Sequence, residues 1–393
     1  MRSFGTVPWK AKSPVDLRKE LMARLAAGER LTDLCREFGI SRKTGSKFKE
    51  RFERLGERGL EDMSRAPHVI PHKTPAALME LVLQERRAHP TWGPRKLKDV
   101  LERRGIRAPS HSAIGRALDR AGLVTSAPRR RRQRALSTTL RQASAPNDLW
   151  CIDFKGQFRL GDGSLCYPLT VTDQFSRFIV TCEGLAAISD EEAREVCAEA
   201  FRQWGLPTAV RSDNGTPFAS TGLGGLTKLS AFFLRLGIEL ERIRPSHPEE
   251  NGRHERMHRT LKAETARPAR HSLLQQQERF DDWVQEFNHD RPHESLGMKR
   301  PAEVFAVSSR PLPNKLPDLR YPLHDDAVKV SGSGQIYIAG VGAIRLSSAL
   351  ADQLVGIREE SDGSWLVSYA TLDLGHVRPG CRAVTPISRE VSQ

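Results

Sequence analysis

The chain has 393 residues, about two to three times an ordinary single domain, so several domains are expected. With 38 % hydrophobic residues and no apolar run near the roughly 18–20 residues of a bilayer span, a membrane protein is excluded, and the opening MRSFGTVPWKAK lacks the apolar stretch of a secretory signal. The net charge of +14 is concentrated: residues 1–146 hold 33 basic and 15 acidic side chains, the remainder 29 and 33, so the front third seeks a polyanion, for which nucleic acid is the natural candidate. The six cysteines never approach C-x-x-C spacing and read as buried thiols of a cytoplasmic protein rather than disulfides or a zinc site.

Three short helices are expected over 14–55. The second, 31–38, ends in the turn Gly39-Ile40-Ser41, and Ser41 caps a third helix running to about residue 52, with Ile40 as the apolar residue that staples its entry. That is helix-turn-helix grammar, and it puts Arg42, Lys43, Thr44 and Lys47 at the start of a recognition helix, the end that meets base edges. A plain three-helix bundle with a solvated basic face is the alternative. A second unit of the same kind follows, with helices at 75–88, 94–103 and 110–121, capped at Ser110 and carrying Arg116 and Arg120 one turn apart. Residues 127–146 contain Arg129, Arg130, Arg131, Arg132, Arg134 and Arg141 with no acid and no hydrophobic period, which suits a linker along phosphates.

From Asn147 the pattern becomes strands alternating with helices, in the order βββαβαβα. A mixed five-stranded α/β sheet is expected, with helices at 189–204, 226–236, 251–264 and 273–289. A Pro-rich stretch after residue 306 reads as a second linker. The tail from 327 reads as a small all-β domain, a barrel or sandwich. The expected boundaries are 1–64 and 65–126 for the two helix-turn-helix domains, 127–146 for the linker, 147–306 for the α/β core, 307–326 for the second linker and 327–393 for the β-rich tail.

Three acids stand out by placement. Asp153 interrupts the apolar strand Trp150-Cys151-Ile152-Asp153-Phe154, where a carboxylate is expensive unless something neutralises it. Asp213 follows the fourth main strand, and ligands collect at strand ends in α/β sheets. Glu255 lies one turn inside the 251–264 helix. If the first and fourth strands are neighbours and that helix crosses their ends, the three acids converge, and oxygen ligands in that number favour a pair of Mg²⁺ ions, with Mn²⁺ as substitute. Glu255, Arg259 and Lys262 share one helical stripe, metal at one end and a DNA backbone along the rest, while Met257 and Leu261 form an apolar stripe. Taken singly, each acid also has an ordinary reading: a buried structural acid, a turn residue, a solvated helix charge. Glu249 and Glu250 are rivals for the third position, but precede Gly252 in a loop.

The runs RSDNGTPF, PSHPEENGRHERMHRTLKAE and FNHDRPHESLGMKRPAEVF resemble the integrase core of DDE-type insertion-sequence transposases, relatives of retroviral integrases with a ribonuclease-H-like fold. The resemblance covers about 147–305. It implies that Asp153, Asp213 and Glu255 are the DDE triad, that Mg²⁺ is the cofactor, that Asn251 belongs to the Asn-Gly pair preceding the glutamate helix and touches DNA, and that the reaction is nicking at element ends followed by strand transfer. The partners would be double-stranded DNA, as terminal inverted repeats and as target, and further copies of the chain on paired ends, in the nucleoid of a bacterial cytoplasm. A DNA-binding regulator with a dead core is the alternative; it predicts a damaged triad. Asp213 and Glu255 are separated by 41 residues, more than the family's commonest spacing, and the surplus is expected to bulge outward at 220–227.

Overall fold

The computed structural model describes residues 12–64, 74–124, 140–244 and 247–387. The chain divides into two units, Met1–Lys73 and Thr74–Gln393. In the first, α1 (Pro14–Ala26), α2 (Leu31–Glu37) and α3 (Arg42–Leu55) close over Leu21, Met22, Leu34 and Leu60. Ser13 and Asp16 form a capping box, and Ser41 Oγ accepts the Thr44 amide at 3.1 Å, a cap of about 1 kcal/mol. Gly45 costs α3 helical propensity but permits close packing: a Cβ there would lie 2.4 Å from Cys35 Sγ on α2. Arg129, Arg130, Arg131 and Arg132 lie outside the described residues.

The second unit opens with α4 (Ala76–Ala88), α5 (Pro94–Arg103) and α6 (His111–Arg120), packed around Val82, Trp92, Leu97, Leu101, Ile114 and Leu118. Ser110 Oγ accepts the Ala113 amide at 3.2 Å as the expected cap. The α/β layer follows as β1 (Leu149–Phe154), β2 (Phe158–Arg159), β3 (Leu165–Asp173), β4 (Ile179–Leu185), α7 (Asp190–Trp204), β5 (Ala209–Ser212), α8 (Lys228–Arg235), β6 (Glu239–Arg242), α9 (Gly252–Thr265) and α10 (Leu273–Gln285). The main strands run in the order β4-β3-β1-β5-β6. β1 is antiparallel to β3 and parallel to β5, and β5 is parallel to β6. The expected five strands gain a sixth, the two-residue β2, which extends the line of β1 along β3. One cluster, including Trp150, Val171, Phe201, Val210 and Phe233, fills the side covered by α7 and α8. Another, with Met257, Leu261, Phe280 and Trp283, seats α9 and α10.

The helix expected to reach His289 widens into a π-turn over Glu286–Asp290. Asn288, buried there, accepts the Ile179 amide and donates to the Ile179 carbonyl, both at 2.9 Å, which ties the turn to β4.

Both expected linkers are pinned to the α/β layer where they are described. Arg141 donates its amide to Glu241 Oε1 at 2.7 Å and its guanidinium to Glu239 at 2.7 Å. In the Pro-rich stretch, Ser308 donates to the Leu206 carbonyl at 2.6 Å and Arg310 to those of Pro207 and Leu236, while Leu312 and Leu316 pack on the core. The C-terminal part is all β: β7 (Asp326–Lys329), β8 (Gln335–Ile338), β9 (Gly342–Arg345), β10 (Leu354–Glu359), β11 (Trp365–Tyr369), β12 (Leu372–Val377) and β13 (Val384–Pro386). Five form an antiparallel sheet, β13-β12-β11-β10-β7, beside the β8-β9 hairpin.

The surplus segment meets solvent at its start, where Ser220, Thr221 and Gly222 are exposed, but its end turns inward. Leu226 is 1 % exposed in one cluster with Val367, Tyr369 and Leu374 of the β domain, and Tyr369 donates its hydroxyl to the Ala231 carbonyl at 3.2 Å. The buried end of the segment thus helps to seat the C-terminal sheet. No helix among the described residues is long and apolar enough to cross a membrane.

Candidate active site and nucleic-acid surface

Parallel pairing of β1 with β5 (Trp150↔Val210) sends the carboxyl ends of both strands to one edge of the sheet, where Asp153 and Asp213 emerge. Helix α9 crosses that edge with its buried stripe, His254, Met257, His258, Leu261 and Thr265, turned to the sheet. Glu255 faces outward and lines one groove with Asp153, Lys155, Arg259, Lys262 and Arg267. The Asp153 carboxyl is pushed up to about 7 by burial first and by the negative charge of Asp213 second, with Glu255 adding in the same direction. Asp213 and Glu255 thus act on Asp153 electrostatically, but the three carboxylates are not drawn within one ion's reach: among the described residues, the group whose ligand atoms lie within 4.8 Å of one another is Asp153, His254 and His258. Among the described residues, none of the three acids is ion-paired with a Lys or Arg: the Asp213 carboxylate takes only the Gly215 amide, at 3.0 Å, and Glu255 takes no hydrogen bond. Carboxylate oxygens that repel one another and lack a salt-bridged cation suit a hard divalent cation by their chemistry, so these donors fit the implied metal in kind.

The rivals fare differently. Glu250 is held by Arg244, whose Nε donates at 2.6 Å and whose amide donates at 2.8 Å. The side chain of Glu249 lies outside the described residues.

Two histidines that the sequence reading passed over sit beneath the site. His258 Nδ1 is 3.7 Å from Asp153 Oδ2, and its Nε2 is 2.6 Å from Thr170 Oγ1, which also lies 2.8 Å from His254 Nε2. Burial drives both rings neutral, His254 down to about 3 and His258 to about 2. Their signal was present as an i, i+4 pair flanking Glu255 and continuing through Leu261 and Thr265.

The far end of α9 is anchored as well. Glu264 accepts Trp283 Nε1 at 2.6 Å, Arg291 Nη1 at 3.0 Å, and the Thr91 hydroxyl from the α4–α5 turn. On the flank of α9 opposite the acids, Lys96, Arg177, Arg253, Arg256 and His293 line a second, basic cavity. Desolvation pushes Lys96 down to about 8 and Arg177 to about 10, with Arg291 beside the first and Arg253 beside the second working the same way.

Of the residues expected at DNA, Arg42, Lys43, Lys47, Arg116, Arg120, Arg259 and Lys262 are exposed. Thr44 is half-buried, its hydroxyl 2.9 Å from Ser41 Oγ, so it completes the cap. Asn251 is corrected: it is 5 % exposed at the entry to α9 and offers no surface to a duplex.

Integrase core domain families match residues 143–248 and 236–301, a helix-turn-helix domain family matches 17–68, and a homeodomain-like family matches 44–118. The insertion element IS407 protein of Burkholderia multivorans is 31% identical over 239 residues, 60% of this chain and 81% of that relative. The insertion element IS476 protein of Xanthomonas euvesicatoria is 31% identical over 247 residues, 61% of this chain and 68% of that one. Among solved structures, the HTLV-2 integrase catalytic core domain in complex with magnesium is 16% identical, overlapping 42% of this chain and 100% of its own at a TM-score of 0.34.

Proposed function

The chain belongs to the insertion-sequence transposases with an integrase-like core, and from that premise we propose that it binds the terminal inverted repeats of its own element, cleaves the DNA at their ends and joins them to a target. The observation that supports the reading is the repulsion of Asp153 by Asp213 and Glu255 at one sheet edge, where none of the three is ion-paired with a Lys or Arg among the described residues. In this reading all three hold divalent metal, Mg²⁺ or Mn²⁺ as a pair, which when bound activates the attacking oxygen and stabilises the leaving one in a phosphoryl displacement.

The protein's own residues do the rest. Arg259 and Lys262, exposed on the Glu255 stripe, follow the phosphates on either side of the scissile bond, and Lys155 and Arg267 extend that track along the groove. The anchors of Glu264 hold α9, and with it Glu255, in place against the sheet. In the helix-turn-helix, Arg42, Lys43 and Lys47 reach bases and phosphates of the repeat, and Arg116 and Arg120 on α6 add a second contact. Water is the nucleophile for cleavage and the freed 3′-hydroxyl for joining, so no covalent protein–DNA bond forms. Pairing of two element ends calls for more than one copy of the chain.

Asp153→Asn, Asp213→Asn and Glu255→Gln each remove a ligand with little change of shape. In a cleavage assay on the element's own ends, each is expected to lose about a hundred-fold or more in rate while binding the DNA as before. Near-normal nicking by any one of them would remove that residue from the triad.

A further inference from the structure

The hydroxyl of Thr170 has one proton to give, and its Oγ1 faces three partners: the Asp153 carbonyl at 3.1 Å, His254 Nε2 at 2.8 Å and His258 Nε2 at 2.6 Å. A carbonyl can only accept, and when the Thr170 proton goes there both histidines donate from Nε2 into the remaining lone pairs. His254 Nδ1, 2.8 Å from Thr172 Oγ1, accepts the proton of that hydroxyl, so both of its nitrogens are committed. Among the described residues, the second nitrogen of His258 meets only Asp153. Its Nδ1 lone pair faces Asp153 Oδ2 across 3.7 Å, too far for a hydrogen bond. Two electron-pair donors at that separation repel unless a proton on Asp153 or a metal cation relieves them. One ion with bonds of about 2.0–2.2 Å to each spans that gap.

We propose that His258 is a metal ligand through Nδ1, sharing with Asp153 one divalent ion, so that the site is a mixed nitrogen–oxygen centre rather than carboxylate alone. The proposal rests on the metal-dependent reading above and deepens it. His254 stands in the same cluster but has no free donor; its part is to fix, with Thr170, the ring orientation of His258. An imidazole donor shifts a site away from Mg²⁺ toward later divalent ions, so Mn²⁺ is expected to bind more tightly than Mg²⁺.

Pulsed electron paramagnetic resonance of the full chain loaded with sub-stoichiometric Mn²⁺ tests this. The expected result is the coupling of one directly bound nitrogen, which changes from the ¹⁴N to the ¹⁵N pattern in protein made with ¹⁵N-histidine. The labelled wild-type chain answers the question even if a variant folds poorly. In His258→Gln the coupling disappears while Mn²⁺ still binds, about 10-fold or more weakly. Mn²⁺ that is lost in Asp213→Asn but shows no bound nitrogen would overturn the assignment of His258 and leave the carboxylate reading standing. Mn²⁺ uptake that is absent, or indifferent to Asp153→Asn and Asp213→Asn, would overturn both.

Discussion

The two helical units carry the same signals in sequence: three short helices, a serine cap before the third, and arginines along its exposed face. In the first, the exposed cations of α3 include Arg42, Lys43 and Lys47, and the unit is compact by itself. In the second, charged groups of α4 and α5 are engaged with the α/β core. Asp99 receives Arg300 at 2.6 Å, Arg103 meets Glu303 at 2.6 Å, Arg95 meets Glu294 at 3.2 Å, and His89 lies 2.9 Å from Glu286. Arg116 and Arg120 on α6 stay exposed. Local helix grammar specifies a shape, and charged partners some 200 residues away decide whether its charges stay exposed or are paired within the protein.

The sharpest way to break this contrast is to remove each unit. Deleting residues 74–124 strips Thr91 from Glu264 and Asp99 from Arg300, and is expected to abolish a folded, soluble core as judged by thermal unfolding. Deleting 12–64 should leave the remainder folded and able to cut DNA without end selectivity; cleavage still confined to the element's ends would reassign recognition to the second unit. A smaller effect is expected from Arg300→Ala, which leaves the partly buried Asp99 with the longer contact to Arg103 Nε, at 3.4 Å. Breaking a buried pair costs about 3–5 kcal/mol, and the 19% exposure of the Asp99 side chain lowers the expected loss to about 2 kcal/mol, read as a fall in Tm. Smaller still are Arg42→Ala and Lys47→Ala, each expected to leave Tm unchanged and to reduce the slope of log affinity against log salt by about one where the side chain meets a phosphate. Arg103→Ala, an exposed pair by contrast, should change stability by about 1 kcal/mol or less and leave that salt slope as it was.

The acid site adds a pH signature. The folded-state Asp153 carboxyl titrates near 7 against an ordinary 3.8, so the metal-free fold binds a proton that the unfolded chain releases. That contribution to stability is fully present below the ordinary carboxylate value and is lost as pH rises through about 7. Metal-free wild-type protein should therefore lose Tm over that window relative to Asp153→Asn, and added Mn²⁺ should restore it at pH 8. Parallel melting curves of the two proteins without the loss would contradict the burial and repulsion assigned to Asp153.

Much of this was legible in the sequence because it was local or periodic. Ser41 and Ser110 announced their caps, the apolar pair Met257 and Leu261 turned inward, and Asp153 was conspicuous within an apolar strand. Adjacency of β1 and β5 was the condition for the acids to meet, and the parallel pairing of the two strands meets it. What escaped was non-local. Nothing near Thr91 or Asp99 signals that α4 and α5 will dock, since Glu264 and Arg300 lie far along the chain. The Gly-rich segment looked like a solvent-exposed insertion because the strands that cover Leu226 come more than a hundred residues later. Asn251 and the His254–His258 pair were misjudged or missed for one reason: the sequence shows their helical spacing but not which face the sheet buries.

The central claim is that Asp153, Asp213 and Glu255 bind divalent metal together. Anomalous diffraction from crystals of the full chain grown with its DNA ends and Mn²⁺ tests it most directly. The account predicts manganese peaks within bonding distance of a carboxylate oxygen from each of the three. Peaks elsewhere, or a density-free site with the DNA bound in the groove, would contradict it.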